Sequence, residues 1–182
     1  MSEQETHQTD DHVLITDRLP VGEWQVDSGS SELNFRARTF FGLLPVNGFF
    51  AQFGGDLRVE EAGATEGGLR IISSSLATGI DRRDQQLRCA EFLDVAAHPR
   101  IEFRLHGLTG GGHQLRADGT LMIREISIPL SFPVTAIGHG DHLHLEARVR
   151  IDHQTAGLRW ARPVLVGHSV RADVALTLRR AV

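Results

Sequence analysis

Histidine is the residue type in this chain whose spacing most suggests chemistry. Half of the histidines lie after residue 138, at His139, His142, His144, His153 and His168. His142 and His144 alternate with leucines, so in a β-strand both imidazoles point to one side and could share a metal ion or a haem iron. That side is the polar one, and no other residue supplies a placed third ligand or a general base. A metal- or haem-dependent enzyme that uses His139, His142 and His144 is therefore the second of two functional hypotheses for this sequence. The first follows from the strands described below.

The other reactive side chains give weaker signals. Cys89 is the only cysteine, which excludes an intrachain disulfide, and a single thiol is most often a small buried apolar group. Ser30 and Ser31 lack the strand–turn–helix context of an activated serine. All 19 basic residues are arginines, scattered along a chain of net charge −4, and this distribution does not indicate nucleic-acid binding. These features predict neither covalent catalysis nor a nucleic-acid partner.

Alternation of apolar and polar residues dominates the chain from Gly22 onward. The stretches SELNFRART, RIEFRLHGL, LEARVRID and SVRADVALTLR each place their apolar residues on one face, which is the pattern of half-buried β-strands. GEWQVD, GFFAQFGGDLRV, GLRIISSSLA, HQLRADGTLMI and SIPLSFPVTAI bring the total to eight or nine strands. Glycine-rich turns between them favour antiparallel hairpins. An antiparallel sheet of that size usually closes into a barrel or splits into a sandwich.

The inward faces favour a hollow barrel over a packed sandwich. They mix large residues such as Phe35 and Phe103 with small ones such as Ala37, Gly119 and Ala172. Small inward residues leave space along the axis of a barrel, whereas a sandwich core needs more volume at each position. The sequence therefore predicts an all-β fold, a single antiparallel barrel with a lumen.

One segment, RRDQQLRCAEFLDVAAHP, does not alternate. Thr78 and Asp81 fit the spacing of a helix-capping pair, and Ile80 and Leu87 then fall on one stripe of a helix. An apolar cluster and a proline follow. These features predict a short amphipathic helix and a second turn that cover an open end of the barrel like a lid.

Taken in order, these motifs resemble those of the YceI-like family. The resemblance rests on TGIDRRDQQLRCAEFLDVAAHPRIEF, WQVDSGSSELNF, VNGFF, ADGTLMIREISIPLSF and ARVRID, and it covers roughly residues 22–180. It implies an eight-stranded, lipocalin-like antiparallel barrel with one short helix segment near residues 80–97 and a lumen that holds a long isoprenoid lipid. Family members are usually not considered enzymes. The chain departs from the family pattern at Ser30, where a histidine is common, and at His153, where an arginine is; both positions bear on the polar head-group region or on a loop.

The resemblance and the apolar faces together predict a protein that binds and carries or stores an amphiphilic lipid, a polyisoprenoid or an isoprenoid quinone. Ten residues are predicted to form the wall of the lumen: Leu33, Phe35, Phe49, Phe53, Phe103, Leu121, Ile123, Val149, Val174 and Leu176. Five are predicted to form the lid or to meet the ligand head group: Arg83, Asp84, Leu87, Arg88 and Phe92. The alternative for each wall residue is simple packing. For Arg83 and Arg88 it is an ion pair that holds the helix to the barrel rim.

The remaining predictions concern the domain boundary, the cellular location, cofactors and the oligomeric state. Residues 1–17 are polar and acidic without apolar periodicity, so we expect a disordered tail before a barrel domain at 18–182. The chain shows no secretory signal and no apolar run long enough for a membrane span, which predicts a cytoplasmic protein without stable membrane insertion. No cofactor or metal is required, although a bound isoprenoid lipid or quinone is expected as ligand. The family resemblance is compatible with a homodimer.

Overall fold

The computed structural model describes residues 19–39, 44–152 and 169–181, and within them the chain is built mainly from β-strands. The strands are β1 Gly22–Val26, β2 Glu32–Thr39, β3 Leu44–Phe50, β4 Phe53–Val59, β5 Thr65–Ile72, β6 Leu76–Ala77, β7 Arg100–Gly111, β8 Gln114–Ile123, β9 Ile126–His139, β10 His142–Asp152 and β11 Ser169–Arg180. Every pairing between them is antiparallel. The predicted all-β class is confirmed.

These eleven segments make an eight-stranded wall, because three of the eight strands are each interrupted once and therefore appear as two segments. β1 and β2 both run along β11 and are separated by a 3₁₀ turn at Ser28–Ser30. In the same way β3 and β4 are separated at residues 51–52, and β5 and β6 by a 3₁₀ turn at Ser73–Ser75. With each interrupted pair counted as one strand, the order around the wall follows chain order. The pairing of β1 with β11 closes the ring, so the predicted eight-stranded barrel is confirmed.

The up-and-down order sorts the connections between strands onto two ends of the barrel. Tight turns join β4 to β5, β7 to β8 and β9 to β10 at the end that we call the closed end. The opposite end, which we call the mouth, receives the short β8–β9 turn and the long connection from β6 to β7. β10 and β11 also reach the mouth, at Asp152 and Ser169. The two ends therefore differ in how much chain they carry.

The connection between β6 and β7 contains the only helix of more than one turn among the described residues. Helix α1 spans Asp81–Arg88 and ends where Cys89 adopts an extended backbone, after which turns continue to His98. β6 pairs with β3, whereas β7 begins beside Ile72 of β5. The sheet therefore parts at the mouth, and residues 78–99, which we call the lid segment, fill the gap. The predicted short helix near this position is confirmed.

Two apolar clusters occupy the interior. The first lies at the closed end and includes Trp24, Ala136, Leu143 and Leu178, each at most 2% exposed. The second lies nearer the mouth and is formed by Leu33, Leu69, Ile71, Ile101, Leu121 and Ile128. In the described ranges, no helix has the length and apolar character that a membrane span requires. The predicted tail at residues 1–17 lies outside the described residues, so the domain boundary stays a prediction.

Candidate ligand-binding cavity

The barrel holds a cavity of about 780 Å³ that reaches from the closed-end cluster to the lid segment. Its wall consists of inward-facing side chains of the strands, because successive residues of a strand point to opposite faces. The polar residues among its described lining are Asn34, Asp56, Arg82, Arg83 and Gln86. The side chains of Asn34 and Asp56 have partners on the exposed outer faces of the strands. Polar groups for a bound molecule are therefore concentrated on α1, at the mouth.

Eight of the ten predicted wall residues line this cavity: Leu33, Phe35, Phe103, Leu121, Ile123, Val149, Val174 and Leu176. They come from β2, β7, β8, β10 and β11, so the lining surrounds the axis. Two register rows bring four of them together, since Leu33 faces Val174 and Phe103 faces Leu121. The alternation that identified the strands thus also placed most of the wall.

Phe49 and Phe53 do not line the cavity, contrary to their placement in the predicted wall. Phe49 points outward and is 46% exposed, while its neighbour Phe50 points inward. The reason is the interruption at residues 51–52, which changes the parity of β3 relative to β4, and a shift of one residue exchanges the two faces of a strand. Phe53 packs against the second cluster without reaching the cavity. Sequence alternation alone carries no signal for such a break.

Two inward glycines are covered by aromatic rings. A Cβ at Gly119 would overlap the ring of Phe103, and a Cβ at Gly48 would overlap the ring of Phe35. The expectation that small inward residues open the lumen therefore does not hold at Gly119, where glycine accommodates a neighbouring ring. It does hold for Ala37, Ala117, Ala147 and Ala172, which line the cavity.

The predicted lid residues divide into two groups. Arg83, Leu87 and Phe92 line the cavity, as do Arg82 and Gln86, which sequence reasoning had left out. Gln86 lies four residues after Arg82, and residues at that spacing share a face of a helix. The signal that could have found them was this spacing at the cavity side of α1.

Asp84 and Arg88 hold the lid in place and do not line the cavity. Asp84 is 7% exposed, and its Oδ1 accepts hydrogen bonds from the backbone N–H of Thr78 (2.9 Å) and from the Thr78 hydroxyl. Arg88 donates through Nη2 to the carbonyl of Leu76, on the rim strand β6. The alternative for Arg88, an ion pair with the barrel rim, places the side chain correctly, but its partner is a main-chain oxygen.

The predicted capping pair of Thr78 and Asp81 is wrong. The residue before the helix is Ile80, and no side chain caps its first N–H groups. Thr78 instead pairs with Asp84, one turn further along, because the chain bends at Gly79 with a φ of 77°. Arg83 completes this cluster, with Nε 2.8 Å from the Thr78 hydroxyl and Nη2 3.0 Å from its carbonyl. This cluster fixes the start of α1 through side-chain contacts within the lid segment.

Phe92 anchors the other half of the lid segment. Its side chain is 2% exposed and lines the cavity at the mouth. Arg124, in the β8–β9 turn, donates from Nη1 to the Phe92 carbonyl at 3.0 Å. Ser73, fully buried in the turn before β6, donates to the carbonyl of His98 at 2.7 Å. The backbone of the lid segment is thus tied to two elements at the mouth, the β8–β9 turn and the turn before β6, in addition to the bond that Arg88 donates to β6.

The Asp27–Ser31 stretch, where the chain departs from the family pattern, forms a latch on β11. Asp27 forms an ion pair with Arg179 at 2.6 Å, and the Ser31 hydroxyl accepts from the N–H of Thr177 at 2.9 Å. A hydrogen bond from Ser30, followed by the charge of Arg179, lowers the pKa of Asp27 below its ordinary value, although desolvation opposes this. The stretch therefore secures the turn between β1 and β2, and Ser30 does not line the cavity.

The histidines of the alternative hypothesis lie on the outer surface near the closed end. His139 and His142 face each other across the β9–β10 turn, and His144 contacts the hydroxyl of Thr177 at 3.1 Å. Among the described residues, no three histidine, cysteine or acidic side chains come together as a metal site. His153 and His168 lie outside the described residues. The histidines that the structure places are separated from the cavity.

Comparison with known sequences gives consistent matches along the barrel. The sequence profile described as the YceI-like domain matches residues 24–179. A UPF0312 protein of Enterobacter sp. (strain 638) is 32% identical in an alignment of 133 positions that covers 71% of this chain and 69% of that protein. Protein YceI of Salmonella arizonae is 28% identical over the same shares of the two chains.

Solved structures share the fold. BcnA of Burkholderia cenocepacia superposes with a TM-score of 0.73 at 20% identity, over 84% of this chain and 98% of that one. A polyisoprenoid binding domain from Saccharophagus degradans, implicated in plant cell wall breakdown, superposes with a TM-score of 0.71 at 18% identity, over 87% and 98%. Both superpositions cover nearly the whole of the other protein, so the architecture described above is a known one.

Proposed function

Because this chain belongs to the YceI-like family, we propose that its cavity binds an amphiphilic lipid, a polyisoprenoid or an isoprenoid quinone, and that the protein carries or stores this lipid without transforming it. One observation carries the proposal: the cavity is apolar along its length, closed at one end and bordered by polar side chains at the other. The polyisoprenoid binding domain with the same fold supports the ligand class.

The apolar wall suits a ligand that offers no hydrogen-bonding groups along its chain. Removal of such a chain from water contributes about 25 cal/mol for each Å² of apolar surface. A volume of about 780 Å³ lies within the range of roughly 300–1,000 Å³ that small-molecule sites span. At about 30 Å³ for each water-sized group, it accommodates on the order of 25 carbon atoms, or about five isoprene units. Longer chains would extend out through the mouth.

The distribution of polar groups sets the direction in which the ligand lies. Trp24, Leu143 and Leu178 fill the closed end, so the apolar tail points there. Arg82, Arg83 and Gln86 border the mouth, and guanidinium groups act only as donors. A head group with acceptor oxygens, such as a quinone carbonyl or a phosphate, is therefore the complement that α1 offers. Because two Arg83 nitrogens already bind Thr78, Arg82 and Gln86 are the freer donors.

A pair of substitutions on one strand tests the proposal. Ala172 of β11 lines the cavity, whereas Ala175, three residues later, is exposed on the outer face. Ala172→Phe places a ring in the lumen, so we expect it to reduce binding of a fluorescent isoprenoid at least tenfold. Ala175→Phe adds the same ring outside and should leave the affinity within about twofold. Equal affinities in the two variants would contradict binding inside the barrel.

Identification of the natural ligand needs the protein as purified. Native mass spectrometry, followed by solvent extraction, should show a stoichiometric apolar adduct of several hundred daltons that is absent from Ala172→Phe and present in Ala175→Phe. The mass of the adduct then gives its number of isoprene units. A clean mass for the wild-type chain, together with no uptake of added isoprenoid, would contradict the proposal.

A further inference from the structure

Three arginines form a row across the outer face of the barrel wall. Arg150 of β10 lies directly opposite Arg171 of β11, and Arg171 lies directly opposite Arg36 of β2. Side chains in such pairs have their Cβ atoms about 5 Å apart, and like charges in this position destabilise a sheet. A row of three therefore has an energetic cost, and no second row of three like charges occurs among the described strands.

Local carboxylates compensate this charge only in part. Two residues along β11 from Arg171, and so on the same face, Asp173 lies 2.8 Å from Arg148 and 3.5 Å from Arg36. Within the described part of the chain, Arg150 and Arg171 have neither an ion pair nor a side-chain hydrogen bond. Both are exposed. Their charge is available to an outside partner.

The surrounding wall is basic although the chain as a whole is acidic. In the three outward rows of β2, β10 and β11 nearest the mouth, five arginines stand against two carboxylates, with Glu32 and Glu146 in the next row, in a chain of net charge −4. The arginines are Arg36, Arg38, Arg148, Arg150 and Arg171, and the carboxylates are Asp152 and Asp173. We call this set the arginine wall. β2 and β10 each carry two of these arginines at alternate positions, and the register aligns Arg36 and Arg150 with Arg171 of β11.

The arginine wall lies beside the mouth of the cavity. Arg150 and Arg171 are next to Ile151 and Val170, which line the cavity from the inner face of the same strands. In the adjacent row, Asp173 is opposite Asn34, and Asn34 is opposite Phe49, whose ring is 46% exposed. Basic groups, an exposed aromatic ring and the opening thus share one side of the barrel.

We propose that the arginine wall docks the protein onto an anionic phospholipid bilayer, with the mouth next to the bilayer surface. This inference rests on the proposed function, because a lipid carrier must collect or release its cargo at a membrane. Guanidinium groups bind phosphate in a two-pronged geometry, and the exposed ring of Phe49 suits the interface between head groups and acyl chains. The docking is peripheral and electrostatic.

The test measures cosedimentation of the full chain with vesicles. One set contains phosphatidylglycerol mixed with phosphatidylcholine, and the other contains phosphatidylcholine alone. The variant is Arg36→Gln with Arg150→Gln and Arg171→Gln. Its control, Arg58→Gln with Arg104→Gln and Arg116→Gln, removes the same charge from exposed outer positions elsewhere on the barrel. Each arginine near an anionic surface changes affinity about fivefold, so we expect the arginine-wall variant to lose roughly a hundredfold and the control to lose less than tenfold.

Salt and ligand uptake complete the experiment. Binding of the wild type should disappear between about 0.01 M and about 1 M salt, since the Debye length shortens from roughly 30 Å to 3 Å. Uptake of isoprenoid from detergent should be unchanged in the arginine-wall variant. Absence of wild-type binding to anionic vesicles, or equal losses in variant and control, would overturn the docking proposal. Vesicle binding by a protein that takes up no isoprenoid would instead support docking and overturn the carrier function.

Discussion

The two ends of the barrel are built in different ways. The closed end has tight turns and a cluster in which Trp24, Leu143 and Leu178 are almost completely buried. The Nε1 of Trp24 donates to the carbonyl of Pro20, and Arg180 lies 5.2 Å from the centre of its ring. The mouth instead carries the lid segment, which is held by hydrogen bonds between side chains and backbone and by the single buried ring of Phe92.

This difference separates the region that stabilises the fold from the region that borders the opening of the cavity. Burial in a fully packed cluster stabilises the ring where β1 and β11 close it, and that ring does not need to open. At the mouth, a segment fastened by a few side chains can open locally at lower free energy than global unfolding. Admission of the lipid proposed above would need such a segment at one end. The tight turns of the closed end leave the mouth as the end that can admit it.

The largest expected effect comes from one substitution made at two depths of the barrel. Leu143 is fully buried in the closed-end cluster, whereas Leu121 borders the cavity. Leu143→Ala should lower the free energy of unfolding by about 4–5 kcal/mol, and Leu121→Ala by about 2 kcal/mol, because a side chain beside an empty lumen has fewer contacts to lose. Chemical denaturation of delipidated protein measures both. Equal losses would mean that the lumen is packed and the contrast between the two regions is wrong.

A smaller and more local effect is expected from Phe92→Ala. Loss of this ring should lower the free energy of opening of the lid segment by about 3 kcal/mol while closed-end protection changes little. Hydrogen exchange read by mass spectrometry compares residues 81–98 with residues 142–149. Ile80→Ala is the control, since Ile80 is already 52% exposed and should alter exchange only slightly. Faster exchange at both ends in Phe92→Ala would show that the lid is part of one cooperative unit.

The sequence carried enough information for the strands and for most of the cavity wall. Alternation is a local signal, so Leu33, Leu121 and Val149 could be assigned to the inner face without knowledge of their neighbours. Phe49 could not, because the break at residues 51–52 has no glycine or proline to mark it and its effect is to exchange the faces of β3. The helix position followed from the loss of alternation after residue 80.

Features that depend on pairing between strands were not accessible in this way. Arg36, Arg150 and Arg171 are separated by up to 135 residues and read as scattered charge, yet the register aligns them in one row. The same holds for Arg88 and Arg124, whose partners are carbonyl groups and leave no trace in side-chain patterns. The sequence alone indicated which residues of each strand face inward. Which residues of different strands lie side by side could be read only from the structure.

The smallest expected effect concerns the latch that joins Asp27 to β11 at the closed-end half of the barrel. Because the pKa of Asp27 is lowered in the folded state, the ionised carboxylate stabilises the fold above its unfolded pKa of about 3.9. That contribution is lost as the pH falls through the lower, folded pKa. The melting temperature of Asp27→Asn should therefore lie slightly below that of the wild type at neutral pH, and the two should converge in acid.

Two further variants identify which partner controls this titration. The hydrogen bond from Ser30 is the largest cause of the lowered pKa, ahead of the charge of Arg179. Ser30→Ala should therefore move the acid limb of the melting-temperature profile to higher pH by more than Arg179→Gln does. Since Ser30 stands where the family commonly has histidine, Ser30→His shows whether the latch tolerates the commoner residue. An acid limb that is identical in all variants would mean that Asp27 contributes nothing to the acid response. The latch would then act only through the Ser31 hydroxyl, which donates to the Asp27 carbonyl and accepts from the N–H of Thr177.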